Sequence, residues 1–184
     1  MSQQHDPELK YWLGFNCVKG IGPTKLRLML DYFGGSIQGA WSASERQLRE
    51  IGIDRRAIEQ LSSTRSKLDL DRALEQVFEA GIQLVTWNSA EYPAYLKETA
   101  NPPALLYVRG RLRQDDEWAV AVVGTRRFTA YGRQVTSDLV RGLVRNKVTV
   151  VSGLARGIDT VAHKVALECG GRTLAVLGCG VDII

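Results

Sequence analysis

Over its first 70 or so residues this chain spaces its apolar positions as helices do, and no convincing strand interrupts them. A helix is predicted to begin at Pro23, where the missing proline N–H has no intrahelical partner to lose. Leu26, Leu30 and Phe33 fall on one face of it, and Gly34-Gly35 ends it. Gly20-Ile21-Gly22 precedes that helix, and Gly52-Ile53-Asp54 precedes a second one over 55–61, which makes a weak internal repeat. Gly-apolar-Gly between short helices is the helix-hairpin-helix signature, a tight turn that points backbone N–H groups and a helix N-terminus at a phosphate. The same pattern also suits a plain αα-hairpin that uses its glycines only to turn, or a helical protein-contact module. A further helix is predicted over 66–80, closed by Gly81.

The pattern then shortens. Ile82–Trp87 and Leu105–Val108 read as strands, separated by Tyr92-Pro93 and Pro102-Pro103, which force an extended loop. Three segments follow with one cadence, an apolar strand running into glycine or serine-glycine and then a turn. They are Trp118–Val123 before Gly124, Val148–Val151 before Ser152-Gly153, and Thr173–Leu177 before Gly178. Runs this uniformly apolar predict parallel strands buried on both faces. The intervening helix is expected to turn Val135, Leu139, Leu143 and Val144 toward the sheet and Arg133, Arg141 and Arg145 away from it. The next helix is expected to start at an Asp159 cap and stop at Gly170-Gly171.

These elements predict an α/β fold: a Rossmann-like, doubly wound, mostly parallel sheet entered at its first strand. A small all-α helix-hairpin-helix or SAM-like domain precedes it, with boundaries at 1–66 and 67–184. Val181-Asp182-Ile183-Ile184 follows directly on the third strand of the set, and such a fold needs more strands and helices. The expectation is an incomplete sheet in a chain that continues.

Composition narrows the setting. The 45% hydrophobic content is that of a globular protein, and the start Met1-Ser2-Gln3-Gln4-His5-Asp6-Pro7 is polar with no apolar signal core. No apolar run is long enough to cross a bilayer, so no membrane partner is expected. Cys17, Cys169 and Cys179 are odd in number and widely spaced, which suggests neither a disulfide framework nor a zinc site and fits a reducing, cytoplasmic setting. The net charge of +4 decides little, but its distribution is uneven. Between Ala119 and Lys164 eight basic residues stand against Asp138 and Asp159, a local net of +6 that leaves −2 for the rest. A basic block confined to one stretch suits a polyanion surface.

Ligands of open parallel sheets sit at the carboxyl ends of strands. Gly124-Thr125-Arg126-Arg127 and Ser152-Gly153-Leu154-Ala155-Arg156-Gly157 both occupy that edge and should be neighbours. Small residues there would let a ligand approach the main chain, and Arg126 and Arg156 add planar forks suited to phosphate. The anion is not expected to be a dinucleotide, and no cofactor is expected. Gly124 is followed by Thr125, Arg126, Arg127, Phe128 and Thr129, so the second glycine of the fingerprint is missing, and the second strand ends in Ser152 rather than an acid. A hydrolase can be drawn from Ser152, Asp159 and His163, but the simpler reading has Asp159 capping its helix, His163 bracing the loop and Ser152 turning the strand end. No catalytic role and no metal site are expected.

Taken together, Val123-Gly124-Thr125-Arg126-Arg127-Phe128-Thr129-Ala130-Tyr131-Gly132, Val151 to Asp159 with Ala162-His163, and Leu177-Gly178-Cys179-Gly180-Val181-Asp182 resemble the bacterial DNA-processing protein A family, DprA or Smf. Glu91-Tyr92-Pro93, Asn101-Pro102-Pro103 and Leu106-Tyr107-Val108-Arg109-Gly110 extend the resemblance, as does the helical N-terminal module. It implies a single-stranded DNA-binding protein of natural transformation and recombination that protects incoming strands and helps load a RecA-type recombinase. It implies Arg126 and Arg156 on DNA phosphates, a pocket floor of Gly124, Thr125, Ser152 and Gly153, and weaker roles for Arg127, Thr129 and Tyr131. Homodimerisation is expected through parts beyond Ile184. A nucleotide-dependent enzyme on the same sheet and a module binding acidic protein partners are the competing readings.

Overall fold

The structure, a computed structural model, describes residues 6–182; the polar start over 1–5 and the final Ile183-Ile184 lie outside the described residues. The chain divides into two compact units, Met1–Arg111 and Leu112–Ile184.

The first unit is helical, as the apolar spacing predicts, and carries a two-stranded hairpin. Its helices are α1 (Leu9–Asn16), α2 (Pro23–Tyr32), α3 (Ile37–Ser42), α4 (Glu45–Glu50), α5 (Arg55–Lys67) and α6 (Leu70–Glu79). Caps set the starts: Ser36 accepts from the Gly39 N–H, Ser44 and Gln47 form a reciprocal capping box, and Asp54 accepts from the Ala57 N–H. Gly20 and Gly52, the two glycines of the internal repeat, share a φ of 87°, each followed by a buried isoleucine, Ile21 and Ile53. Lys25 ties the two turns together, donating to the Gly20 carbonyl at 2.7 Å and to the Asp54 carboxylate at 2.5 Å.

The single helix expected over 66–80 is instead the end of α5 and the whole of α6. Leu68 is extended, and Asp69 caps α6 by accepting from the Arg72 N–H. Strands β1 (Ile82–Thr86) and β2 (Leu105–Arg109) pair antiparallel, with Ile82 opposite Arg109 and Thr86 opposite Leu105. The loop between them contains a turn of helix, α7 (Ala94–Lys97), and Tyr92 donates to the Pro103 carbonyl at 2.7 Å. Leu84, Val85 and Leu105 of the hairpin share one core with Trp12, Phe15, Met29, Ile37, Leu48 and Leu61.

The second unit alternates strand and helix: β3 (Ala119–Ala121), α8 (Ala130–Arg145), β4 (Thr149–Ser152), α9 (Ile158–Glu168) and β5 (Thr173–Ala175). The strands are parallel in the order β3-β4-β5, so the α/β parallel sheet expected from the sequence is present. Both crossovers step the same way, and right-handed connections therefore place α8 and α9 on one face. Val140, Val150, Val161, Ala162, Val165 and Ala166 form the core between those helices and β4.

This geometry corrects two expectations. Of the strands, β4 is buried nearly throughout as expected, but β3 is exposed along its length and Val123 just beyond it is 73% exposed, because one helical layer is present among the described residues. On α8, Val135 and Leu139 face outward, while Thr136, Ser137 and Val140 are buried. The inward hydroxyls of Thr136 and Ser137 donate to the Gly132 and Arg133 carbonyls one turn back, so burying them leaves no polar group unsatisfied.

Candidate functional site

At the carboxyl ends of β3 and β4 two loops, residues 122–129 and 153–157, lock onto each other. The Ser152 hydroxyl donates to the Val122 carbonyl at 2.6 Å, and the Ile158 N–H donates to the Thr125 carbonyl at 3.2 Å. Gly157 adopts a φ of 103°, and a Cβ on it would overlap the Thr125 carbonyl oxygen and lie 2.6 Å from the Arg126 Cα. A Cβ on Gly124 would lie 2.8 Å from the Ile158 Cβ. The room left by these two glycines is thus filled by the opposite loop rather than held open for a ligand.

The remaining candidate residues divide between scaffold and surface. Ser152 is buried, and a Cβ on Gly153 would meet an Asp159 carboxylate oxygen at 3.0 Å. The Thr125 hydroxyl accepts from the Arg127 N–H at 3.1 Å and so shapes its own turn. The Ala155 carbonyl is held by the Thr160 hydroxyl at 2.8 Å. Arg126, Arg127, Leu154 and Arg156 are exposed, and no hydrogen bond or ion pair engages the three guanidinium groups among the described residues. Arg141 differs, since it pairs with Asp138 at 3.0 Å on the surface of α8. Tyr131, in the first turn of α8, is 79% exposed. The site is therefore a pair of interlocked backbone loops presenting unpaired cations to solvent, suited to phosphate.

The serine, aspartate and histidine weighed as a hydrolytic set take other partners. Asp159 is not the N-cap of α9. Gly157 holds that position, and Asp159, in the first turn, reaches back to accept from the Gly153 N–H at 3.1 Å. The loop curls over the helix start, and the buried carboxylate is used to pin it. His163 also serves the sheet, since its Nδ1 lies 2.7 Å from the Thr173 hydroxyl and links α9 to β5. Burial holds the imidazole below its ordinary pKa, against the opposing pull of the Asp159 charge and the Ser152 backbone. With the Ser152 hydroxyl engaged by the Val122 carbonyl, no serine–histidine hydrogen bond forms.

On the opposite edge of the sheet, Asp116 receives a bidentate Arg172 and the Arg113 N–H. The Thr149 hydroxyl also donates to it, at 3.2 Å. Sequence reading offered no sign of this cluster, whose partners come from three separate segments.

The profile of DNA recombination-mediator protein A matches residues 83–184. The chain belongs to this family. The resemblance read from the loop motifs is borne out, and both loops of the site lie inside the match. Protein Smf of a Synechocystis strain is 37% identical over 182 residues, 96% of this chain and 46% of that protein. The DNA processing protein DprA of Bacillus subtilis is 38% identical over 116 residues, 62% of this chain and 39% of that protein. The X-ray structure of DNA processing protein A from Streptococcus pneumoniae superposes with a TM-score of 0.77 at 29% identity, covering 95% of this chain and 59% of that one. The chain thus spans less than half the length of the two curated relatives. In this member of the recombination-mediator family the likeness reaches the helical unit too, because the Synechocystis match covers almost the whole chain. No helix among the described residues is long and apolar enough to cross a membrane.

Proposed function

We propose that this protein binds single-stranded DNA at the edge formed by residues 124–127 and 152–157, as a non-enzymatic DNA-processing protein of transformation and recombination. The observation that carries the reading is the pair of interlocked loops presenting Arg126, Arg127 and Arg156 without anionic partners. Arg126 and Arg156 take phosphates as planar forks. Thr125, Leu154 and Ala155 line the contact surface, while Gly124, Ser152, Gly153 and Gly157 fix its backbone. The local surplus of positive charge supplies the salt-dependent part of the affinity.

In the same reading, the helices over 1–66 form a helix-hairpin-helix or SAM-like module, and the Rossmann-like domain placed over 67–184 has its parallel sheet in the second unit, after Arg111. The protein works in the cytoplasm, as a homodimer, and hands its strand to a RecA-type recombinase. Membership of the recombination-mediator family supports these assignments.

The deciding experiment titrates the full-length protein with a fluorescent oligothymidine and with duplex of equal length at several salt concentrations, for wild type and Arg126→Ala. A single-strand preference with a steep salt slope, weakened by Arg126→Ala, is the expected result. Equal binding to both, indifferent to Arg126, would sink the reading.

A further inference from the structure

Leu154 stands at a φ of 56° between β4 and α9, in the left-handed region that strains a leucine and leaves a glycine at ease. Packing does not offset the strain, since the side chain is 55% exposed. The backbone on either side is held firmly. The Ser152 hydroxyl is bonded to the Val122 carbonyl, the Gly153 N–H to the Asp159 carboxylate, and the Ala155 carbonyl to the Thr160 hydroxyl. An apolar group is therefore displayed from a fixed, strained position on the loop that also carries Arg156. Backbone strain of this kind persists where the displayed group is used.

We propose that Leu154 is the base-contacting residue of this site, laying its isobutyl group on the face of an unstacked nucleobase while the arginines hold the neighbouring phosphates. The inference rests on the single-strand reading above. Phosphate contacts carry no base information. A free base face exists only where bases are not stacked in a duplex, and side chains that cover such faces bind any sequence. Leu154 would thus be a source of single-strand preference without sequence preference.

The test titrates the full-length protein with oligothymidine and with an equally long oligomer of abasic residues. Wild type, Leu154→Gly, Leu154→Asn and Arg126→Ala are compared. Glycine removes the strain with the side chain, and asparagine keeps the shape and tolerates the left-handed backbone but is polar. Both Leu154 variants should bind oligothymidine about tenfold more weakly, as expected for burying part of a leucine. They should bind the abasic oligomer as wild type does and melt no earlier. Arg126→Ala should lose affinity for both oligomers. Wild-type affinity for oligothymidine in the Leu154 variants, an equal loss on both oligomers, or earlier melting with unchanged affinity would overturn the proposal. If only Leu154 fails, Arg126→Ala still weakens binding; if the single-strand reading itself fails, neither oligomer is bound and the proposal falls with it.

Discussion

Gly157 packs its α-carbon against the backbone of Arg126, with no room for a Cβ between them. The contact makes one rigid edge of two loops that are some thirty residues apart in sequence, and it sets where the Arg126 side chain leaves the main chain. Gly157→Ala should therefore fail twice, through the positive φ and through overlap with Thr125 and Arg126. A loss of about 2–4 kcal/mol is expected, the sum of a strained backbone and an overpacked contact. Chemical denaturation measures it. Single-strand affinity should fall with it even though Gly157 is buried and offers no side chain of its own.

Asp116 and Arg172 hold together three segments at the other edge of the sheet. Burial alone would raise the Asp116 pKa, but the Arg172 guanidinium, the Arg113 N–H and the Thr149 hydroxyl outweigh it and hold the carboxyl below its usual range. A carboxyl depressed in the folded state adds stability above its unfolded pKa, and that stability is lost as pH falls through the folded value. Melting followed from pH 5 down to pH 2 should show an acid-side loss that Asp116→Asn flattens. At neutral pH Asp116→Asn should cost about 2 kcal/mol, by leaving Arg172 without its carboxylate.

His163 produces a second, separate window. Its folded pKa lies below the ordinary histidine value, so between the two the unfolded chain binds a proton that the folded chain does not. Stability is then full above about pH 6.5 and declines as the solution is acidified through the window below it. The chain has two histidines, and the other is His5 in the polar start, so few groups titrate nearby in pH. His163→Asn, which can keep a hydrogen bond to Thr173, should show a flatter melting temperature between pH 7.5 and 5.5 than wild type. Identical slopes would contradict the assignment.

How far the sequence was legible follows from which interactions are local. The start of α2 at Pro23 and its end at Gly34-Gly35 were readable because proline and glycine act on their own backbone. The cadence of β3, β4 and β5 was readable because parallel strands share an apolar signature. The break between α5 and α6 was not, because the helical period runs through Leu68-Asp69 and only the cap made by Asp69 reveals it. The buried face of α8 is not legible in the apolar pattern, because Thr136 and Ser137 satisfy their hydroxyls within the helix and pack as core. The glycine-rich loop motifs at the strand ends are legible by residue type, but the division of the candidate residues into scaffold and surface is not. Ser152, Gly153 and Gly157 serve partners that lie in another loop or a turn away, and residue types alone do not disclose such partners.

Arg65 tests the same point in the helical unit, where a charged residue near the end of α5 would be assigned to solvent. Instead its guanidinium donates to the Ala43 carbonyl at 2.9 Å and the Ala40 carbonyl at 3.3 Å, and lies 5.7 Å from the centre of the Trp41 ring. It thereby closes the C-terminal end of α3, joining the Ala43 N–H on the Ala40 carbonyl and engaging the Ala43 carbonyl just past the helix. Burial pulls its pKa down, but an arginine stays charged at any physiological pH. Arg65→Lys cannot span two carbonyls and cover the indole with a single ammonium, so the conservative change should recover little of what Arg65→Ala loses. The alanine variant is expected to lose about 2–3 kcal/mol, from two charge-assisted hydrogen bonds and the ring contact. Denaturant midpoints of the two variants decide it: a lysine variant as stable as wild type would mean that the charge alone matters and that the planar fork does not.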